Sequence, residues 1–207
     1  PTGASYVSGT VHHWMHYDPH RYPGTNLLMY GFEPGLPAEF VSYSGGPIDP
    51  HCPRLNTAFS DDRLPLMDSA YYLRDWDTGL RLDQHGWPGS AVAFRTSPGQ
   101  VLELPDSGYD IGGGFDAIIL YASDEQIAIH YGREDNPVTG YTLYFAGVCP
   151  DPALRSLYER NHAAGRRELP TIRGNTPVGR AIGRRVFFAI RDTGAFMDVR
   201  SREWYDW

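Results

Sequence analysis

The chain has 207 residues, a formal net charge of -7 and 41% hydrophobic residues. A nucleic-acid partner would require Lys and Arg concentrated against phosphates, and the absence of any basic cluster excludes that class. All 18 basic residues are arginine, which excludes Schiff-base chemistry, a P-loop lysine and a lysine general base.

Glycine and proline are spread evenly along the chain, with 23 Gly and 17 Pro. This distribution favours many short strands joined by turns. All-β domains of this length often stay undivided, so one domain over residues 1–207 is predicted. The expected fold is mainly β, with an antiparallel sandwich or barrel-like sheet core.

Residues 1–88 are predicted to be irregular, because turn signals interrupt them repeatedly. The candidate strands in this part are Asn26–Phe32, Glu39–Tyr43 and Ala70–Arg74.

Residues 89–207 are predicted to form the regular β core. The candidate strands there are Ser90–Arg95, Gln100–Leu104, Phe115–Ala122, Gln126–Tyr131, Tyr141–Gly147, Pro177–Ala181, Val186–Arg191 and Ala195–Val199. Alternation around Ile127 and Ile129 predicts a half-buried strand with His130 on its opposite face. One short helix is predicted at about 152–164, with Asp151 as its cap and Gly165 at its end.

Two cysteines, Cys52 and Cys149, are expected to form a disulfide, since neither lies in a CxxC pair and no His adjoins Cys149. Such a bridge would close a long loop and stabilise the fold by about 4 kcal/mol. It would also place the protein in an oxidising compartment. The segment Pro1-Thr2-Gly3-Ala4-Ser5 has neither a basic region nor an apolar stretch, and no apolar run in the chain reaches the ~18 residues of a spanning helix. The expected disulfide predicts a secreted protein, and the lack of a long apolar run predicts one with no membrane partner.

The order of four motifs from about Ser90 onward resembles the β core of the lysostaphin-like, M23-type zinc peptidases. These motifs are Ala91-Val92-Ala93-Phe94 with Gly99-Gln100-Val101, Tyr141-Thr142-Leu143-Tyr144, Asn175 to Arg180, and Phe188 to Gly194 with Met197-Asp198. The resemblance implies an exported protein acting on peptidoglycan.

The zinc ligands that the resemblance implies are not matched. The family's His-x-His corresponds to Arg185-Val186-Phe187, and the His that follows the central Tyr-rich strand corresponds to Ala146. Asp83-Gln84-His85 has the wrong spacing for the remaining His and Asp ligands. If the fold is shared, the zinc site has been lost or rebuilt elsewhere.

Four of the eight histidines fall within residues 12–20. Neutral imidazole is a common metal ligand, so His12, His13, His16 and Asp18 form a candidate site for a divalent transition metal. The alternative is a polar, aromatic edge strand near the start of the chain.

Three further features of the sequence are candidates for function. His85, His130 and Asp83 are candidates for general acid and base chemistry. The Asp-rich segment around Asp75 and Asp77 resembles part of a calcium loop, although a solvated turn is favoured because the EF-hand spacing is absent. Trp14, Trp76 and Trp87 lie beside polar segments and are candidates for stacking on sugars.

Two functions follow from these patterns. One is an exported enzyme that acts on a polysaccharide or peptidoglycan polymer, by a metal-dependent or a His/Tyr-based mechanism. The other is a non-catalytic glycan-binding domain on a degenerate M23-like scaffold.

Overall fold

The computed structural model describes residues 1–13, 17–42, 47–61, 63–84 and 86–207. Its strands are β1 Val7–Thr10, β2 Gly31–Leu36, β3 Met67–Arg74, β4 Asp83–Gln84, β5 Trp87–Pro88, β6 Ser90–Arg95, β7 Val101–Glu103, β8 Ala117–Ala122, β9 Gln126–His130, β10 Tyr141–Ala146, β11 Val148–Pro150, β12 Glu168–Ile172, β13 Pro177–Ala181, β14 Arg185–Asp192 and β15 Ala195–Phe196. The α-helix is α1 Pro152–Ala163, and short 3-10 helices span Leu27–Met29, Leu55–Ala58 and Arg202–Trp204.

Within the described residues, ten strands form the main sheet, and the pairings between neighbouring strands are antiparallel. Their order is β1-β12-β8-β9-β10-β14-β6-β3-β2, with β15 paired to β14. A smaller sheet has the order β11-β13-β7. The predicted fold class, mainly β and antiparallel with one short helix, is confirmed.

The turn at Ser97-Pro98-Gly99-Gln100 carries the chain from the main sheet into the smaller one. The Gln100 amide donates to the Ser97 carbonyl over 2.9 Å, and Gly99 has a φ of +83°. This is the geometry of a type II turn, which places Pro second and Gly third.

Helix α1 begins and ends where its sequence signals predict. The Asp151 carboxylate accepts from the Ala153 amide over 2.9 Å, Pro152 fills the first turn, and Gly165 follows the last turn with a φ of +91°. Leu154 and Tyr158 are its buried residues. No helix among the described residues is long and apolar enough to cross a membrane.

The N-terminal half contributes more to the sheet than the sequence predicts. Strands β2 and β3 pair with each other, and β3 pairs with β6, so they extend the main sheet to its edge. Pro34 is tolerated in β2 because an edge strand does not need every N–H for pairing. Strands β1, β4, β5, β11 and β12 are absent from the sequence prediction.

Strand β9 is buried on both faces, so the prediction that it is half-buried is wrong. Residues 17–30 cover the face that His130 shares, and we call this segment the N-terminal cover. The Tyr144 hydroxyl donates to the Gly24 carbonyl over 2.6 Å, and Arg191 donates to the Tyr30 hydroxyl. Sequence alternation could not reveal a cover supplied by a distant, irregular segment.

The expected disulfide does not form: Cys52 and Cys149 are both free. Cys52 is buried against the carbonyl of Glu203, whereas Cys149 is exposed in β11 opposite Arg180. The two thiols therefore lie in different surroundings, and the disulfide argument for an oxidising compartment falls with them.

The thiols should differ sharply in reactivity. Burial raises the pKa of the Cys52 thiol to about 11, so little thiolate forms and access is blocked. A maleimide reagent is expected to modify Cys149 in the native protein and Cys52 only after denaturation. Mass spectrometry of the labelled protein checks this, and an absence of free thiols in the unreduced protein would contradict the structure.

Candidate functional site

One region of the main sheet carries small side chains around a single large one. Phe187 of β14 is the cross-strand partner of Ala93 on β6 and of Ala146 on β10. Directly opposed residues in an antiparallel pair project from the same face. The Phe187 ring therefore lies between two methyl groups. Because those methyl groups are small, they leave space on the sheet face on either side of the ring.

The N-terminal cover stops short of this region. Leu27 is buried, and its amide donates to the Gln126 side-chain oxygen over 3.1 Å, which anchors the 3-10 helix to β9. The next residue, Leu28, remains 42% exposed. It lines two adjoining depressions, which together we call the Leu28 groove.

The apolar half of the groove is a cavity of about 270 Å³ lined by Leu28, Phe32, Tyr71 and Phe187. Its three rings have centroids 5.8 to 6.0 Å apart. Phe32 meets the other two rings edge to face. All three side chains are half-buried, so this half exposes aromatic surface without being closed.

The polar half is a cavity of about 240 Å³. Its lining residues are Asn26, Leu28, Met29, Tyr121, Ser123, Asp124, Glu125 and Gln126. The Gln126 side chain donates to the Asn26 side-chain oxygen over 2.6 Å and fixes the orientation of both amides. Apolar surface beside a few fixed polar groups is the usual composition of a ligand site.

The two carboxylates of the polar half differ in their partners. Asp124 forms an ion pair with Arg155, which also donates to Glu159 over 2.8 Å. Glu125 is exposed, and no ion-pair partner for it lies within the described ranges. The described side chains that line the polar half thus include two carboxylates and no cation.

A His–Tyr pair also borders the polar half. The Tyr121 hydroxyl lies 2.9 Å from Nδ1 of His20. Desolvation by burial raises the pKa of Tyr121, so the phenol keeps its proton at neutral pH.

The structure places the predicted catalytic residue His130 inside the protein. Its side chain is fully buried, with Nδ1 2.9 Å from the Thr142 hydroxyl and Nε2 3.7 Å from a carboxylate oxygen of Glu134. A Cβ on Gly132 would lie only 2.6 Å from that Nε2. This packing leaves no room for a polymer at the ring, so the placement does not favour contact with substrate.

Three of the other predicted catalytic and stacking residues, Asp83, Trp76 and Trp87, are not among the described residues that line the groove. Asp83 is exposed on β4, which pairs with β5, the strand that contains Trp87. Trp76 is 50% exposed in the preceding turn. Trp14 and His85 fall outside the described residues.

In the Asp-rich turn near Trp76, the Asp75 carboxylate accepts hydrogen bonds from residues of the same turn. One carboxylate oxygen of Asp75 accepts from the Asp77 amide and from the amide and hydroxyl of Thr78 over 2.8 to 3.1 Å. The favoured interpretation of a solvated turn agrees with this geometry.

The predicted metal ligands are only partly described. His12 and His13 are exposed, Asp18 contacts Arg21 over 3.6 Å, and His16 lies outside the described ranges. Across those ranges, no group of three or more His, Cys, Asp or Glu side chains could hold a metal ion. The metal site therefore stays a prediction.

Sequence reasoning missed the Leu28 groove because its residues come from four separate stretches of the chain. The sequence of β6 did contain a usable signal. Ala91 and Ala93 share one face of this central strand and Phe94 lies on the other, so one face has no large apolar side chain. The groove itself required the pairing of β14 with β6 and β10.

Comparisons with protein-family models, curated proteins and solved structures give no match for this chain. The fold and the groove define a mainly β, antiparallel protein with an open groove on the face of its large sheet.

Proposed function

We propose that this protein is an exported domain that binds an extracellular polysaccharide or peptidoglycan polymer in the Leu28 groove without cleaving it. The observation that carries the proposal is the combination of three half-buried aromatic rings with an adjoining set of hydrogen-bonding side chains. Aromatic faces pack on the apolar faces of sugars, while carboxylates and amides pair with hydroxyl groups.

Two further observations support binding over catalysis. Ala146 and Phe187, at positions that correspond to zinc ligands in the M23-type resemblance, are cross-strand partners, and Phe187 lines the groove. Neither side chain can bind a metal. The predicted acid and base residues Asp83 and His130 are not among the residues that line the groove.

A charge at the centre of the groove should weaken binding without unfolding the protein. Leu28→Arg is expected to lower affinity for an insoluble glycan roughly fivefold, equivalent to about 1 kcal/mol, because the guanidinium occupies the apolar path. The matched control is Ile182→Arg, at an apolar residue that is 52% exposed and outside the groove lining. Sedimentation binding to chitin, cellulose and purified peptidoglycan provides the measurement.

The same assay can overturn the proposal. If the unaltered protein binds none of these polymers, or if both variants bind equally well, the groove is not a glycan site.

A second candidate, a His/Tyr-based glycan-cleaving enzyme, is favoured by the His20–Tyr121 contact. On a uronate-containing glycan, His20 would remove the proton beside the sugar carboxylate, a C=C bond would form as the glycosidic C–O bond breaks, and Tyr121, which keeps its proton, would donate it to the leaving sugar oxygen. Appearance of new reducing ends, lost in Tyr121→Phe with binding retained, would establish this function and contradict the non-catalytic proposal.

A further inference from the structure

The charges of the Leu28 groove discriminate among glycans. Asp124 and Glu125 line its polar half, and none of the described residues that line it carries a cationic side chain. The guanidinium that pairs with Asp124, that of Arg155, is held between Asp124 and Glu159. The polar half therefore presents excess negative charge to a ligand.

Two arginines lie near the apolar end of the groove, but they do not offset the negative charge of the polar half. Arg185 and Arg95 lie beyond Phe187 as cross-strand partners, but Asp68 binds both, over 2.8 and 2.9 Å. Their guanidinium groups are thus engaged, and neither lines the groove.

The chain cannot supply an ammonium side chain of its own to Glu125, because it contains no lysine. From this charge complementarity we infer that the groove prefers a glycan whose sugar units bear free amino groups, with the ammonium at Glu125 and Asp124 and the sugar face on the aromatic half. This inference rests on the proposed function, since it names the ligand class of the same groove.

Three soluble hexamers test it with the full chain: glucosamine, N-acetylglucosamine and galacturonate. We expect the glucosamine oligomer to bind about threefold to tenfold more tightly than its acetylated counterpart, the range for a few exposed ion pairs. The galacturonate oligomer should bind most weakly. The preference should disappear near 1 M salt, where the Debye length is about 3 Å.

The variants Glu125→Gln and Asp124→Asn should each bring the ratio of the glucosamine affinity to the N-acetylglucosamine affinity closer to one, because each removes a negative charge that only the ammonium form exploits. Glu159→Gln is the matched control, because Glu159 also pairs with Arg155 but does not line the groove. Equal binding of the glucosamine and acetylated oligomers, or tighter binding of galacturonate, overturns the amine preference while the groove remains a glycan site. Absence of binding to any oligomer or insoluble polymer overturns the proposed function itself.

Discussion

Replacing Asp135 with alanine is expected to lower the free energy of unfolding by about 3 to 5 kcal/mol. Asp135 and Arg166 form a bidentate ion pair of 2.6 and 2.9 Å in which both side chains are almost fully buried. Arg166 also donates to the Leu120 carbonyl and the Tyr158 hydroxyl. Without the carboxylate, a guanidinium remains buried with its charge uncompensated, which is the costly state.

Urea denaturation measures the difference, and the chain offers a matched control. Asp124→Ala removes an aspartate that also pairs with an arginine, but the Asp124 side chain is 84% exposed. Exposed pairs contribute only about 0 to 1 kcal/mol, so that variant should be nearly as stable as the unaltered protein. Similar losses in both variants would show that burial does not determine the value of the Asp135–Arg166 pair.

Local signals in the sequence predicted the elements that are stabilised locally. Strands β6 and β13 and helix α1 match their predicted bounds closely, because proline, glycine and the Asp151 cap mark their ends. Strand β1 has no comparable signal. It is held by pairing with β12, about 160 residues further along the chain, and that pairing cannot be deduced from the residues of either strand.

The buried polar groups show the same limit. His130 and Asp135 lie in a stretch that reads as a strand followed by a polar turn, so the sequence indicates a solvent-facing histidine. The N-terminal cover changes this outcome, because the Tyr17 hydroxyl contacts Asp135 over 3.2 Å and this face of the sheet is buried. A residue's chemical type was therefore a poor guide to its role wherever an irregular segment covers it.

The candidate site illustrates a related difficulty. Aromatic residues beside polar segments suggested Trp14, Trp76 and Trp87 as the sugar-stacking surface. That assignment stays a prediction, and the aromatic residues that line the groove are Phe32, Tyr71 and Phe187, whose neighbours in sequence look like ordinary strand residues. Phe187 remains partly exposed because the residues beside it on neighbouring strands are small. That arrangement depends on strand pairing, which the sequence around the ring does not reveal.

Phe187→Leu is expected to weaken binding to an insoluble glycan about tenfold or more, whereas Trp76→Leu should change it less than about twofold. Leucine keeps most of the volume that packs between Ala93 and Ala146, so the sheet should survive, but it removes the flat ring that a sugar would contact. Tyr71→Leu should behave like Phe187→Leu, because both rings belong to the same wall of the groove.

Trp76 serves as the control because it is half exposed and lies in a turn outside the groove lining. Urea denaturation of each variant separates loss of binding from loss of folding. A large loss in Trp76→Leu with none in Phe187→Leu would move the binding surface to the turn near β4 and β5, where the sequence alone had placed it. Unchanged binding in all three variants would remove aromatic stacking as the basis of recognition, because each alteration deletes a ring that one of the two surfaces requires.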